Sequence, residues 1–143
     1  MKKVFFALLA LSLGCVGLTS CENGKLEYTA DPSTQPIAGK TYRASGEGDS
    51  YAQFTFFLNY SCKMVTKQDG EEPVVSPYFE WYMAPNDPDV VVRYAQGTYN
   101  KETGQSLSGK TFLSGSYNAS TKTVTLTGTI EGEKVTYTMT EVQ

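Results

Sequence analysis

The strongest constraint on this chain is a two-residue alternation of apolar and polar side chains that recurs from Gly39 to the C-terminus. In TVTLTGTI, Val124, Leu126, Gly128 and Ile130 alternate with Thr123, Thr125, Thr127 and Thr129. Val135, Tyr137 and Met139 alternate with Thr136, Thr138 and Thr140 in the next run. Phe79, Trp81 and Met83 alternate with Tyr78, Glu80 and Tyr82, and Ala52, Phe54, Phe56 and Leu58 with Tyr51, Gln53, Thr55 and Phe57. Successive side chains of a strand point to opposite faces, so each run predicts a strand with one buried and one wet face, the habit of antiparallel sheets. No run past the first 21 residues predicts a helix.

Turn-forming residues fall between these runs: Gly46-Glu47-Gly48-Asp49, Asp69-Gly70, Asn86-Asp87-Pro88-Asp89, Glu102-Thr103-Gly104 and Glu131-Gly132. Each supplies a residue that tolerates positive φ, or a proline of fixed φ, where a hairpin must reverse. The expected strands lie near 40–45, 51–58, 61–67, 77–84, 89–100, 110–118, 122–130 and 133–142. Eight strands with short links predict an all-β domain over 39–143, an up-and-down antiparallel barrel that hides its edges by closing. A two-sheet β-sandwich is the alternative that the same pattern permits. Ten tyrosines, together with many threonines and valines, suit pleated, half-buried surfaces.

The N-terminus follows a different logic. Met1-Lys2-Lys3 is a short basic stretch and Val4 to Leu13 is apolar. That core is too short for a permanent membrane-spanning helix, which needs about 20 residues, and it reads instead as an export signal over 1–20. Its last four residues, Leu18-Thr19-Ser20-Cys21, resemble the bacterial lipobox. The resemblance implies cleavage between Ser20 and Cys21 and acylation of Cys21; Cys15 fits less well, because Ser12 stands where the branched apolar residue belongs. Residues 21–38 then form a lipid anchor and a polar, proline-containing tether. Glu22 partially matches an acidic signal for surface export. The expected address is the outer membrane, on its periplasmic face or at the cell surface, with the membrane engaged through lipid.

With Cys15 in the signal and Cys21 acylated, Cys62 is the remaining thiol, so no internal disulfide is available and Cys62 reads as a small buried hydrophobe.

Composition excludes several activities. The chain has no histidine, which removes Ser-His and Cys-His catalysis, the usual general base near neutral pH and the commonest zinc ligand. Its formal net charge is −3, more acidic once Lys2 and Lys3 leave with the signal, and neither arginine sits in a basic cluster. Nucleic-acid affinity depends on neutralising phosphates, so nucleic acid is rejected as a partner. No enzyme, cofactor or metal is expected.

Lipobox, polar tether, and Gly39-Lys40-Thr41-Tyr42 opening a meander with Gly-x-Tyr strand starts together resemble the small lipocalin-like (calycin-type) lipoproteins of Bacteroidetes. The resemblance covers nearly the whole chain past the signal and implies an eight-stranded lipocalin-like barrel. True lipocalins carry Gly-x-Trp at the first strand and a helix after the barrel; here Tyr42 takes the aromatic place and Trp81 lies mid-chain.

A few residues attract a chemical reading. Asn86, Asp87 and Asp89 offer alternate oxygen ligands but lack the glycine and distal glutamate of a calcium loop, so they read as a proline-stiffened turn. Glu80 lies among aromatics, where desolvation favours acid catalysis, but a glycosidase needs a second carboxylate and the alternation turns Glu80 outward. Asn59-Tyr60-Ser61 and Asn118-Ala119-Ser120 match the glycosylation sequon by chance. The repeated Gly97-Thr98-Tyr99-Asn100 and Gly115-Ser116-Tyr117-Asn118 read as hairpin signals. Tyr78, Trp81 and Tyr82 are the candidate ligand-binding residues, because aromatic faces stack on sugar rings while hydroxyls hydrogen-bond their edges.

The expected function is therefore non-enzymatic binding of a small apolar or glycan ligand by a lipid-anchored envelope protein. The alternative is a structural or protein-interaction lipoprotein with a filled barrel and no small ligand, acting on an envelope protein.

Overall fold

A computed structural model describes residues 34–143 together with the strand Leu13–Cys15. The expected lipidation site Cys21, Glu22 and, apart from Leu13–Cys15, the expected signal and tether up to residue 33 lie outside the described residues.

The chain is all-β. Strands β2 (Lys40–Ser45), β3 (Tyr51–Phe56), β4 (Ser61–Lys67), β5 (Val74–Met83), β6 (Asp89–Tyr94), β8 (Thr111–Asn118), β9 (Thr123–Ile130) and β10 (Glu133–Glu141) close into an eight-stranded barrel. All neighbouring pairs are antiparallel, and consecutive barrel strands neighbour one another, which makes the barrel up-and-down. Closure joins the last strand to the first, with Thr140 opposite Arg43 and the Val142 N–H donating to the Thr41 carbonyl at 2.8 Å. A short β7 (Thr98–Asn100) lies outside the barrel and pairs with β1 (Leu13–Cys15).

The two-residue alternation sorts inside from outside as expected. Phe54, Trp81, Val124, Leu126 and Met139 are completely buried, and their sequence neighbours Thr55, Tyr82, Thr125 and Thr138 are not. Each fully buried large apolar side chain contributes roughly 1.5–3 kcal/mol. An eight-stranded barrel is just wide enough for such side chains to fill. Here Phe54 stacks on Phe56 at 6.4 Å between ring centroids, Phe56 meets Trp81 edge-on at 5.7 Å, and Phe79 stacks on Phe112 at 4.5 Å.

Four features depart from the simple pattern. The stretch expected as one strand over 89–100 divides into β6 and β7, because the backbone turns at Gly97 (φ +88°). Leu58, which continues the inward parity of β3, is exposed: the strand ends at Phe56 and the chain reverses at Tyr60 (φ +73°). Pairing of β4 with β5 slips by one residue between Cys62 and Met64, opposite Phe79 and Ser76, so both Ser76 and Phe79 are buried. Pro77 lies in this bulge, where its missing N–H breaks no ladder bond. A second slip in the β6–β8 pairing leaves Phe112 and Leu113 both buried.

The ends of the barrel are finished by turns. Glu131 and Gly132, with φ of 53° and 82°, form a two-residue hairpin turn whose twist matches the strands. At the opposite end, residues 34–39 fold across the start of β2, with the Gly39 N–H donating to the Phe56 carbonyl at 2.7 Å. Gln35 and Ile37, which the sequence places in the tether, are buried there, and Ile37 joins the core.

Candidate functional site

The aromatic residues singled out from sequence do not share a surface. Tyr78 and Tyr82 stand on the outer face of β5 and are half-buried. Trp81 lies on the inner face, completely buried, so the expected Tyr78–Trp81–Tyr82 platform is corrected to an outer pair and an internal anchor. The indole N–H of Trp81 donates to the Phe57 carbonyl at 2.9 Å, and its backbone N–H donates to the Tyr60 carbonyl at 2.9 Å. Trp81 thus ties the β3–β4 turn to the core. On the outer face the Arg93 guanidinium lies 6.0 Å from the Tyr82 ring centroid, and Glu80 is paired across the strands with Arg93 on one side and Ser61 on the other.

The remaining sequence candidates resolve into structural parts. Asp87 Oδ1 accepts the Asp89 N–H at 3.0 Å, an Asx turn that fixes the β5–β6 connection. Asn59 Oδ1 accepts the Ser61 N–H and hydroxyl at 3.0 and 2.6 Å. Asn118 Oδ1 accepts the N–H groups of Ser120 and Thr121, and Asn100 Oδ1 those of Glu102 and Thr103. The repeated tetrapeptides therefore end in the same capped turn: Gly104 N–H returns to the Asn100 carbonyl, and Lys122 N–H to that of Asn118, each at 2.7 Å. Their glycines differ in use, since Gly97 takes a positive φ whereas Gly115 lets the Thr125 carbonyl approach where a Cβ would stand. Cys62 is buried, and burial pushes its thiol well above the ordinary range, which disfavours the thiolate form.

Among the described residues lies a cleft of about 660 Å³, which the alternation could not reveal, at the end of the barrel where β2 begins. Met83 at the end of β5 and Tyr117 near the end of β8 line it. Its walls come from three separate segments: residues 34–36, the β5–β6 turn from Pro85 to Pro88, and the β8–β9 turn with Ala119 and Lys122. The volume lies within the range of small-molecule sites, about 300–1,000 Å³.

These walls are held in place before any ligand arrives. Pro85 and Pro88 restrict one turn, Asn86 sits at φ 59°, and the Tyr117 N–H donates to the Pro88 carbonyl at 2.8 Å. In the other turn Lys122 holds φ 58° under the Asn118 cap. In the core, Tyr42 has its hydroxyl pushed up to about 12, first by burial and then by the neighbouring charges that Tyr117 and Glu141 present on ionisation. Among the described residues no group of three or more Cys, Asp or Glu side chains is arranged to hold a metal. The cleft thus presents an aromatic ring, proline faces, an amide, a carboxylate and an ammonium group in one rigid frame.

The chain matches no protein-family model, no curated protein and no solved structure significantly.

Proposed function

We propose that this chain is a lipid-anchored, lipocalin-like envelope protein with a non-enzymatic binding role, in which the barrel is a scaffold and the ligand is held at the rim. The observation that carries the reading is the pairing of a core packed with stacked aromatic rings with an open, pre-ordered cleft at the barrel end. Rigid walls lower the ordering cost of binding, so even a small contact area gives useful affinity. The lipid on Cys21 would supply membrane residence, leaving the rim for recognition. The second reading, a protein-interaction lipoprotein without a small ligand, draws on the exposed Phe57 and Leu58 in the β3–β4 turn.

The test uses the one tryptophan of the chain as an internal reporter. Detergent-extracted protein is titrated with brominated fatty acid, which quenches an indole it approaches. Rim binding predicts no quenching of Trp81, while panels of saccharides and small apolar compounds should contain a ligand that raises thermal stability by about 2.7 kcal/mol at a hundredfold excess over Kd. Strong saturable quenching would place the ligand inside the barrel and overturn the reading. Flat thermal curves across both panels would favour the protein-partner alternative.

A further inference from the structure

The cleft has a chemical bias that narrows its ligand. A pyranose ring presents a flat apolar face of C–H groups and a rim of hydroxyls that both donate and accept hydrogen bonds. The cleft matches both parts: Tyr117 and Pro85 offer flat apolar contact, while the exposed Asn86, Asp87 and Lys122 add donors and acceptors to its lining. Aromatic rings with a polar handle suit such amphipathic partners. A fatty acyl chain would set the Asn86 amide and the Lys122 ammonium against apolar surface, and a phosphate or other strong anion would find one ammonium group offset by the Asp87 carboxylate. Two further features fit a saccharide. Asn86 and Lys122 occupy positive-φ positions, with φ of 59° and 58°. Glycine would serve the backbone better at both places, yet each carries a polar side chain into the cleft lining.

We propose that the cleft between the β5–β6 and β8–β9 turns binds a neutral saccharide of one or two pyranose rings, with Tyr117 as the contact for the ring face and Asn86, Asp87 and Lys122 as hydroxyl partners. This rests on the rim reading above and adds the ligand class to it. The open mouth admits the end of a longer glycan as readily as a free sugar, and both present the same ring chemistry.

The test is an amide chemical-shift titration of the full chain in detergent micelles. The probes are methyl glucopyranoside, galactose, N-acetylglucosamine, maltose, cellobiose and chitobiose, with an oligosaccharide of six rings to compare a chain end with a free sugar. The expected result is saturable shifts confined to residues 34–36, 83–88 and 117–122 for at least one of these sugars. Asn86→Gly and Lys122→Gly remove one polar partner each while easing the backbone, so both variants fold; each should weaken the sugar at least about fivefold. Lys101→Gln, in the outlying 101–104 turn, should bind as the parent does. No saturable shift with any sugar, or shifts that both glycine variants leave unchanged, overturns the saccharide assignment. If a fatty acid or peptide then shifts the same residues, the rim reading stands without the sugar. Shifts centred on Phe54, Leu126 and Tyr137 would overturn the rim reading itself.

Discussion

Trp81 Nε1 lies 2.9 Å from the Phe57 carbonyl oxygen, so the largest side chain of the core also fastens the turn that caps it. Its ring is packed between Phe56, at 5.7 Å, and Tyr60, at 5.9 Å. Burial and hydrogen bonding are served by one residue. Trp81→Phe keeps an aromatic ring but leaves the carbonyl without its indole donor and opens space beside Phe56. A loss of about 2–4 kcal/mol is expected in denaturant unfolding. The native protein should show blue-shifted tryptophan emission that acrylamide does not quench; ready quenching would contradict the buried position.

Gly115 is a position highly sensitive to a single added methyl. A Cβ there would collide with the Thr125 carbonyl oxygen and crowd Leu126 in the adjacent strand. Because the obstacle is backbone, Gly115→Ala should cost about 3 kcal/mol or more, the upper end of overpacking effects. Gly132→Ala, at φ +82° in open space, should cost about 1 kcal/mol through strain alone. Equal melting temperatures for the two variants would refute the distinction.

Lys122 holds a left-handed backbone (φ 58°) in the turn where the matching position of the other tetrapeptide carries Gly104 (φ 76°). Lys122→Gly should therefore stabilise the protein by about 1 kcal/mol, measured as a shift in denaturation midpoint at constant slope. A lower midpoint would mean that the lysine side chain contributes more to folding than its strain removes.

Alkaline pH should unfold this protein through its buried acids. Tyr42 is pushed up to about 12 from 10, chiefly by burial, and burial raises Tyr94, Tyr137 and Cys62 as well. The unfolded chain loses these protons first, so it binds fewer protons than the native state and stability falls as pH rises. The loss should begin near pH 9–10, where unfolded Cys and Tyr ionise, and continue through about pH 12. With no histidine in the chain, stability between pH 6 and 8 should be nearly flat. A marked slope in that interval would point to a titrating group outside this set.

At the opposite end of the barrel from the cleft, Asp49 latches two turns together. Its Oδ2 lies 2.7 Å from Lys67 Nζ, its Oδ1 accepts the Gly70 N–H at 3.2 Å, and its own N–H donates to Asp69 Oδ1 at 3.0 Å. The Lys67 ammonium, then Asp69 and Gly70, hold its carboxyl down to about 2 from 3.8. A carbon-detected titration should place the Asp49 midpoint near 2, and Lys67→Met should raise it. The latch is intact above the ordinary carboxylate range and is lost as pH falls through about 2.

Much of the fold was legible along the chain because a strand has a period of two, and a one-residue error would turn a whole hydrophobic set outward. That is why Phe79, Trp81 and Met83, or Val124, Leu126 and Ile130, could be assigned to one face without any neighbour being known. Strand ends and bulges were less legible. Leu58 obeys the alternation and is exposed because the chain has already turned, and Phe112 breaks it because the β6–β8 pairing slips. Both facts depend on a partner strand.

The cleft was not legible at all. Its lining comes from residues 34–36, 83–88 and 117–122, and no local period links segments so far apart in sequence. The sequence by itself determined the all-β alternation, the inner faces of its runs, the turns that follow Asn100 and Asn118, and the absence of histidine chemistry, because these follow from local backbone geometry and residue type. Only the tertiary structure decided which turns meet and that Ile37 closes the barrel end. Barrel closure brings distant chain segments within contact distance, and that proximity is a property of pairing between strands, not of any one of them.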